Sequence, residues 1–173
     1  MKTRTSGRAP VAGRRSAGDH DHKACVTRAL AAAADICRKR GARLTPLRRQ
    51  VLELVWLSHR PAGAYELLAR LGPRRSAKPP TIYRALEFLV ANGLVHRVKS
   101  RNAFVGCAAP GHAVAAGILI CADCGSASEI ADGSVARAVR HSAARIGFEV
   151  GGHMVEAVGR CRACRAEPRR RVA

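Results

Sequence analysis

Residues 79–107 read PPTIYRALEFLVANGLVHRVKSRNAFVGC. Pro79 and Pro80 suit the first turn of a helix, where backbone N–H groups have no partner within the helix. Ile82, Ala85, Leu86, Leu89 and Val90 then recur at helical spacing and predict a buried stripe that ends at Asn92-Gly93. Tyr83, Arg84 and Glu87 lie off that stripe and are expected to face outward. Leu94–Lys99 and Ala103–Cys107 read as two short strands around the turn Ser100-Arg101-Asn102. A helix leading into a basic hairpin is how a winged helix-turn-helix ends; its last helix enters the major groove. Arg84 stands where a base-reading group would sit, and arginine suits bidentate contact with guanine. A phosphate contact or a plain exposed charge is the alternative.

The upstream segments supply the other helices of such a unit. Residues 24–40 place Leu30, Ala33, Ala34 and Cys37 on one face and end in Arg38-Lys39-Arg40 before Gly41. Thr45 is a good N-cap and Pro46 a good first residue for the next helix. Its expected stripe is Leu47, Val51, Leu54, Val55 and Ser58. Ala64–Leu71 makes a short third helix between Pro61 and Gly72-Pro73. Residues 1–23 are Gly-, Ser- and Arg-rich without apolar period, and are expected to form a disordered basic arm.

Charge points the same way. The net charge is +19 over 173 residues. Residues 38–84 carry twelve Lys/Arg against Glu53 and Glu66, whereas residues 121–159 carry three Arg against five acids. Such asymmetry favours a polyanion, most often nucleic acid, as the partner of the basic half. No apolar run approaches the roughly 20 residues of a membrane helix. The basic start is not followed by an apolar stretch, so a reducing cytosolic location is expected.

Downstream, Cys121-Ala-Asp-Cys124 is answered by Cys161-Arg-Ala-Cys164. Two Cys-x-x-Cys pairs offer the four thiolates of a closed tetrahedral zinc site. The intervening segment is longer than the roughly 15–20 residues of a compact ribbon, so the sulfurs would have to clasp a small folded unit. Two disulfides, a redox dithiol or unligated core cysteines are the alternatives. Within that unit, Ile118–Ile120 and Ser126–Ile130 read as strands, and Asp132 can cap a helix carrying Val135, Ala138, Val139, Ser142 and Ile146 on one face. Phe148–Val158 reads as a last strand broken by Gly151-Gly152, returning to the first. His96, Cys107, His112 and Glu129 form a second possible mixed N/S/O set. One thiolate among imidazoles favours zinc over hard ions, although scattered His and Glu are common in any chain.

Four motifs together resemble the ferric uptake regulator family. They are Arg43-Leu44-Thr45-Pro46-x-Arg48, Lys78-Pro79-Pro80-Thr81-Ile82-Tyr83-Arg84-Ala85-Leu86, Leu119-Ile120-Cys121-x-x-Cys124-Gly125 and Gly159-x-Cys161-x-x-Cys164. The resemblance spans about residues 24–165 in the family's order, and the family's zinc-uptake branch is nearest. It implies an α+β protein: a winged helix-turn-helix domain at 24–107, a hinge at 108–117, a zinc-clasped dimerisation domain at 118–165 and a basic tail at 166–173. It implies a homodimer bound to double-stranded operator DNA. It implies zinc, two ions per subunit: a structural one on Cys121, Cys124, Cys161 and Cys164, and a regulatory one on His96, Cys107, His112 and Glu129. Tyr65 matches a position that helps contact DNA, and Tyr83 and Arg84 fall on the recognition helix. The implied function is zinc-dependent repression of zinc-uptake genes, with no enzymatic activity, membrane or small organic ligand. A sensor of iron or another metal shares the fold, and a Cys-x-x-Cys redox protein is the rival from another class. Two features depart from the family. Residues 113–120 hold no histidine where relatives often carry a histidine-rich run. His153 matches a position of an additional metal site but lacks its neighbouring histidines.

Overall fold

The computed structural model describes residues 22–72, 78–110, 117–130 and 133–166. Four helices open the chain: α1 (His22–Lys39), α2 (Pro46–Trp56), α3 (Ala64–Leu71) and α4 (Pro79–Ala91). Thr45 caps α2 by accepting the Arg48 N–H, and Pro46 occupies its first turn, as the sequence predicts. The hairpin of β2 (Val95–Val98) and β3 (Ala103–Gly106) follows, joined by a 3-10 turn at Lys99–Arg101. Asn102 closes that turn in the left-handed region at φ 44°, a conformation asparagine tolerates better than most residues. A two-residue strand, β1 (Ala62–Gly63), had no sequence counterpart; it pairs with Phe104 and Ala103 and makes the hairpin three-stranded.

The first core is built by α1–α4 and the inner faces of β1–β3. Val51, Leu52, Val55, Leu67, Ile82, Leu86 and Leu89 are essentially sealed from solvent. The expected stripes need correction at their margins. On α2, Leu52 and Trp56 are buried, and the helix stops before Ser58. On α1, Cys25 is buried and Ala34 exposed. On α4, Val90 is exposed and Tyr83 is half-buried against the core, because the buried face is narrower and rotated toward Ile82 and Leu86. Gly106 is required by close packing: a Cβ there would lie 2.3 Å from Trp56 Cε2.

The second unit holds β4 (Gly117–Cys121), β5 (Ala127–Ile130), α5 (Ser134–Ala144), β6 (Val155–Gly159) and α6 (Arg162–Ala166). β4 is central, antiparallel to β5 and parallel to β6, so the last strand does return to the first. That strand is shorter than expected, because the chain becomes regular only after Gly151-Gly152. β4 starts at Gly117, inside the segment expected as a hinge, and α6 was not foreseen. The proposed Asp132 cap lies outside the described residues.

α5 buries none of its residues; Ala138 and Ser142 are exposed and Ile146, just past the helix, is 81% exposed. The apolar face predicted for α5 therefore finds no core among the described residues of its own chain. The second core is small: Ile118 and Ile120 of β4 meet Val98 and Val105 of the wing, with Ala127 and Met154 at its margin. The wing thus contributes side chains to both units.

Candidate metal centres and nucleic-acid interface

The strand order brings the two cysteine pairs together. β4 delivers Cys121, and β6 runs beside it to the loop that delivers Cys161. The Sγ atoms of Cys121, Cys124, Cys161 and Cys164 all lie within 4.8 Å of one another, with Cys124 and Cys161 3.8 Å apart. A tetrahedron with zinc–sulfur bonds of about 2.3 Å has edges of about 3.8 Å, so four thiolates at these separations fit zinc. Backbone N–H groups support them: Cys161 N–H donates to Cys121 Sγ at 3.3 Å, and Cys164 N–H points at Cys161 Sγ at 3.5 Å. Burial opposes the Cys121 thiolate, but backbone N–H groups of Cys124, Cys161 and Asp123 outweigh it and hold the thiol below its ordinary range. Hydrogen bonding to Cys161 and burial push Cys164 upward. Arg160 ties the two pairs from outside: its Nε donates to Asp123 at 2.6 Å and its guanidinium also donates to the Cys164 carbonyl at 2.8 Å.

A second group forms where the two units meet. His96 comes from β2, Cys107 from the end of β3 and Glu129 from β5, and their ligand atoms lie within 4.8 Å of one another. His96 and Cys107 are buried. His96 Nε2 is sealed from solvent without a hydrogen bond; Glu129 Oε1 stands 3.4 Å away, an ion-pair distance. That same oxygen accepts the Ala108 N–H at 2.5 Å, which orients the carboxylate. Burial disfavours the charged imidazole, but Cys107 and Glu129 outweigh it and raise His96 to about 9. An orphaned buried nitrogen facing a thiol and a carboxylate fits a divalent cation of zinc's ligand preferences. His112 lies outside the described residues.

Among the described residues, no other histidine joins either group of metal-ligating side chains. His141 is exposed. His153 is in no strand and its buried Nε2 has no hydrogen-bond partner. His59 is half-buried and packs 4.7 Å from the His22 ring; its carbonyl accepts the Ala127 N–H across the two units.

In the first unit, Arg84 is exposed on the second turn of α4. Tyr65, 68% exposed, sits edge-on to Tyr83 with ring centroids 6.5 Å apart. Arg48 stacks over Phe88 at 3.5 Å and so ties α2 to α4. Arg97, Lys99 and Arg101 are exposed on the wing. Sequence reasoning missed Ala108, Arg160 and Glu156; only the Asp123–Arg160 pair had a legible cue, opposite charges placed inside and just before the two cysteine pairs.

Comparison with known proteins agrees with this architecture. The model of the ferric uptake regulator family matches residues 39–158. The zinc uptake regulation protein of Escherichia coli K12 is 42% identical over 139 residues, covering 78% of this chain and 80% of that protein. Its counterpart in Shigella flexneri matches equally. Among solved structures, a zinc uptake regulator complexed with zinc and DNA superposes with TM-score 0.76 at 38% identity, covering 82% of this chain and 95% of that one. The crystal structure of holo XcZur gives 0.71 at 42% identity, covering 79% and 96%. On motifs, fold and relatives alike, the chain belongs to the ferric uptake regulator family.

Proposed function

We propose that this chain is a zinc-responsive repressor that binds operator DNA as a dimer and controls zinc-uptake genes in the cytoplasm. The observation that carries this reading is the His96–Cys107–Glu129 cluster, which joins ligands from the wing to a ligand from the second sheet. The regulator relatives and the zinc-and-DNA complex support it. The chain takes two zinc ions per subunit. Cys121, Cys124, Cys161 and Cys164 hold the structural ion, and His96, Cys107 and Glu129, completed by His112, hold the regulatory one.

Bound zinc supplies a cross-link of several coordinate bonds between the two units. The chain's residues do the rest. His96 and Cys107 move with the DNA-binding unit, residues 24–107, and Glu129 with the dimerisation unit, residues 118–165. Drawing them together selects one relative orientation, because a ligand shifts an equilibrium only through differential affinity for its states. In a dimer that orientation sets the spacing of two α4 helices on successive major grooves. Arg84, Tyr83 and Tyr65 then face the bases and backbone, and the surrounding Lys/Arg supply salt-dependent phosphate affinity. The uncovered face of α5, with Ile146 and with Phe148 at 65% exposure, fits the dimer contact. No residue here is assigned to catalysis.

The test is DNA binding under separately buffered zinc, iron and manganese, using a duplex selected from a random pool by the metal-loaded protein. Zinc should promote tight binding at the lowest free concentration. A preference for iron or manganese would make the chain a different metal sensor, and binding indifferent to metal would refute sensing altogether.

A further inference from the structure

Beside the packing of Val98 and Val105 on Ile118 and Ile120, polar contacts among the described residues tie the wing to the second unit at its base and at its tip, and only the one at the base belongs to the metal cluster. At its base, Ala108 N–H donates to Glu129, beside His96 and Cys107. At its tip, Glu156 of β6 reaches across. Its Oε1 accepts the Lys99 N–H at 2.6 Å and its Oε2 accepts the Ser100 N–H at 3.0 Å. These are consecutive N–H groups of the 3-10 turn that caps the hairpin. The contact joins residues 57 and 56 positions apart. Burial raises the Glu156 carboxyl, but the Ser100 and Lys99 donors outweigh it and hold the group below its ordinary value, so it is a carboxylate at neutral pH.

The register shows why two anchors matter. Val95 pairs with Gly106 at the base of the hairpin, and Val98 pairs with Ala103 near its tip. Without the tip contact, the hairpin would be held only by its base and by the small apolar contact of Val98 and Val105, which fixes its orientation less firmly. Held at both ends, and packed through Val98 and Val105 on Ile118 and Ile120, it has one orientation. Glu156 also lies on the strand that leads directly to Cys161, so the cysteine clasp fixes the strand from which the carboxylate projects.

We propose that Glu156 is a positioning residue that holds the wing, and with it the DNA-binding unit, in the orientation where His96, Cys107 and Glu129 already converge. It touches neither zinc nor DNA bases. It raises affinity for both by populating the competent orientation beforehand, since a site that is competent only part of the time binds weaker by that fraction. It also occupies the two N–H groups of the wing tip, so the wing meets phosphate through the side chains of Arg97, Lys99 and Arg101 instead. This inference rests on the zinc-sensing reading given above.

The test uses the full chain as wild type, Glu156→Ala and Glu156→Gln. Three quantities are read: zinc per subunit, affinity for the exchangeable zinc by competition with a chromophoric chelator, and the free zinc at which DNA binding is half-complete. For Glu156→Ala the chelator-resistant zinc should remain while exchangeable-zinc affinity and the DNA midpoint both worsen by about tenfold, within the usual range of coupling between sites. Glu156→Gln keeps the shape and one acceptor, so its loss should be smaller; it decides the matter if the alanine variant does not fold. A structural role alone would lower thermal stability and leave zinc affinity and the DNA midpoint unmoved. Wild-type values of both in the two variants would overturn the proposal. Wild-type DNA binding indifferent to zinc would instead overturn the sensing reading, and the brace with it.

Discussion

The two halves of this molecule are stabilised in opposite ways. The first unit closes on itself: α1–α4 and a three-stranded sheet seal a core of Val, Leu, Ile and Trp side chains. The second has four residues in its buried cluster, two of them borrowed from the wing, and a helix with none buried. A unit that small does not bury enough apolar surface to fold by that alone. What it lacks in core it has in other devices: four convergent sulfurs, an uncovered apolar face and anchors to the wing. The first half closes its own core, whereas the second leaves an apolar helix face and a cluster of four sulfurs open to what would bind them.

That contrast can be broken most directly at the clasp. Cys121→Ser leaves three sulfurs, and structural zinc is folding energy in small units of this kind. The second unit should lose its fold, its chelator-resistant zinc and the dimer together, while the helical signal of the first unit persists. Calorimetry and sedimentation would show this; a native dimer with unchanged melting would contradict it.

A smaller and more selective effect separates self-made from partner-made stability. Leu52 is 1% exposed in the first core, so Leu52→Ala should cost about 2–5 kcal/mol. That loss should not depend on protein concentration. Ile146→Ser should leave the stability of the single chain nearly unchanged and weaken dimerisation instead, seen as a melting temperature that falls on dilution. A concentration-independent loss in both variants would erase the distinction between the halves.

The same contrast explains what the sequence could tell. α2, α4 and the hairpin were legible because their cues are local: Thr45 and Pro46 at one start, two prolines at another, Asn92-Gly93 at an end, and a helical period with a core to match. The cysteine pairs announced themselves by spacing. The α5 stripe was legible as a pattern but not in its destination, because periodicity cannot distinguish a chain's own core from a partner's. Residues 148–154 read as strand from their apolar content, yet Gly151-Gly152 postpones the strand to Val155. The His96–Cys107–Glu129 cluster carried no spacing cue, since its members come from β2, the residue after β3, and β5, and meet only where the two separate sheets face each other. The resemblance to a family, not the residues alone, pointed to it. Glu156 had no cue at all, because its contact spans more than fifty residues and its donors are backbone.

The central claim is that one chain carries two metal sites with different duties, one that keeps the second unit folded and one that sets its orientation to the DNA. Cys107→Ser tests it most directly, read as zinc content, oligomeric state and DNA binding across buffered free zinc. The expected result is a folded dimer that keeps one chelator-resistant zinc per subunit and no longer binds DNA in response to zinc. Unchanged zinc-dependent binding would contradict the account.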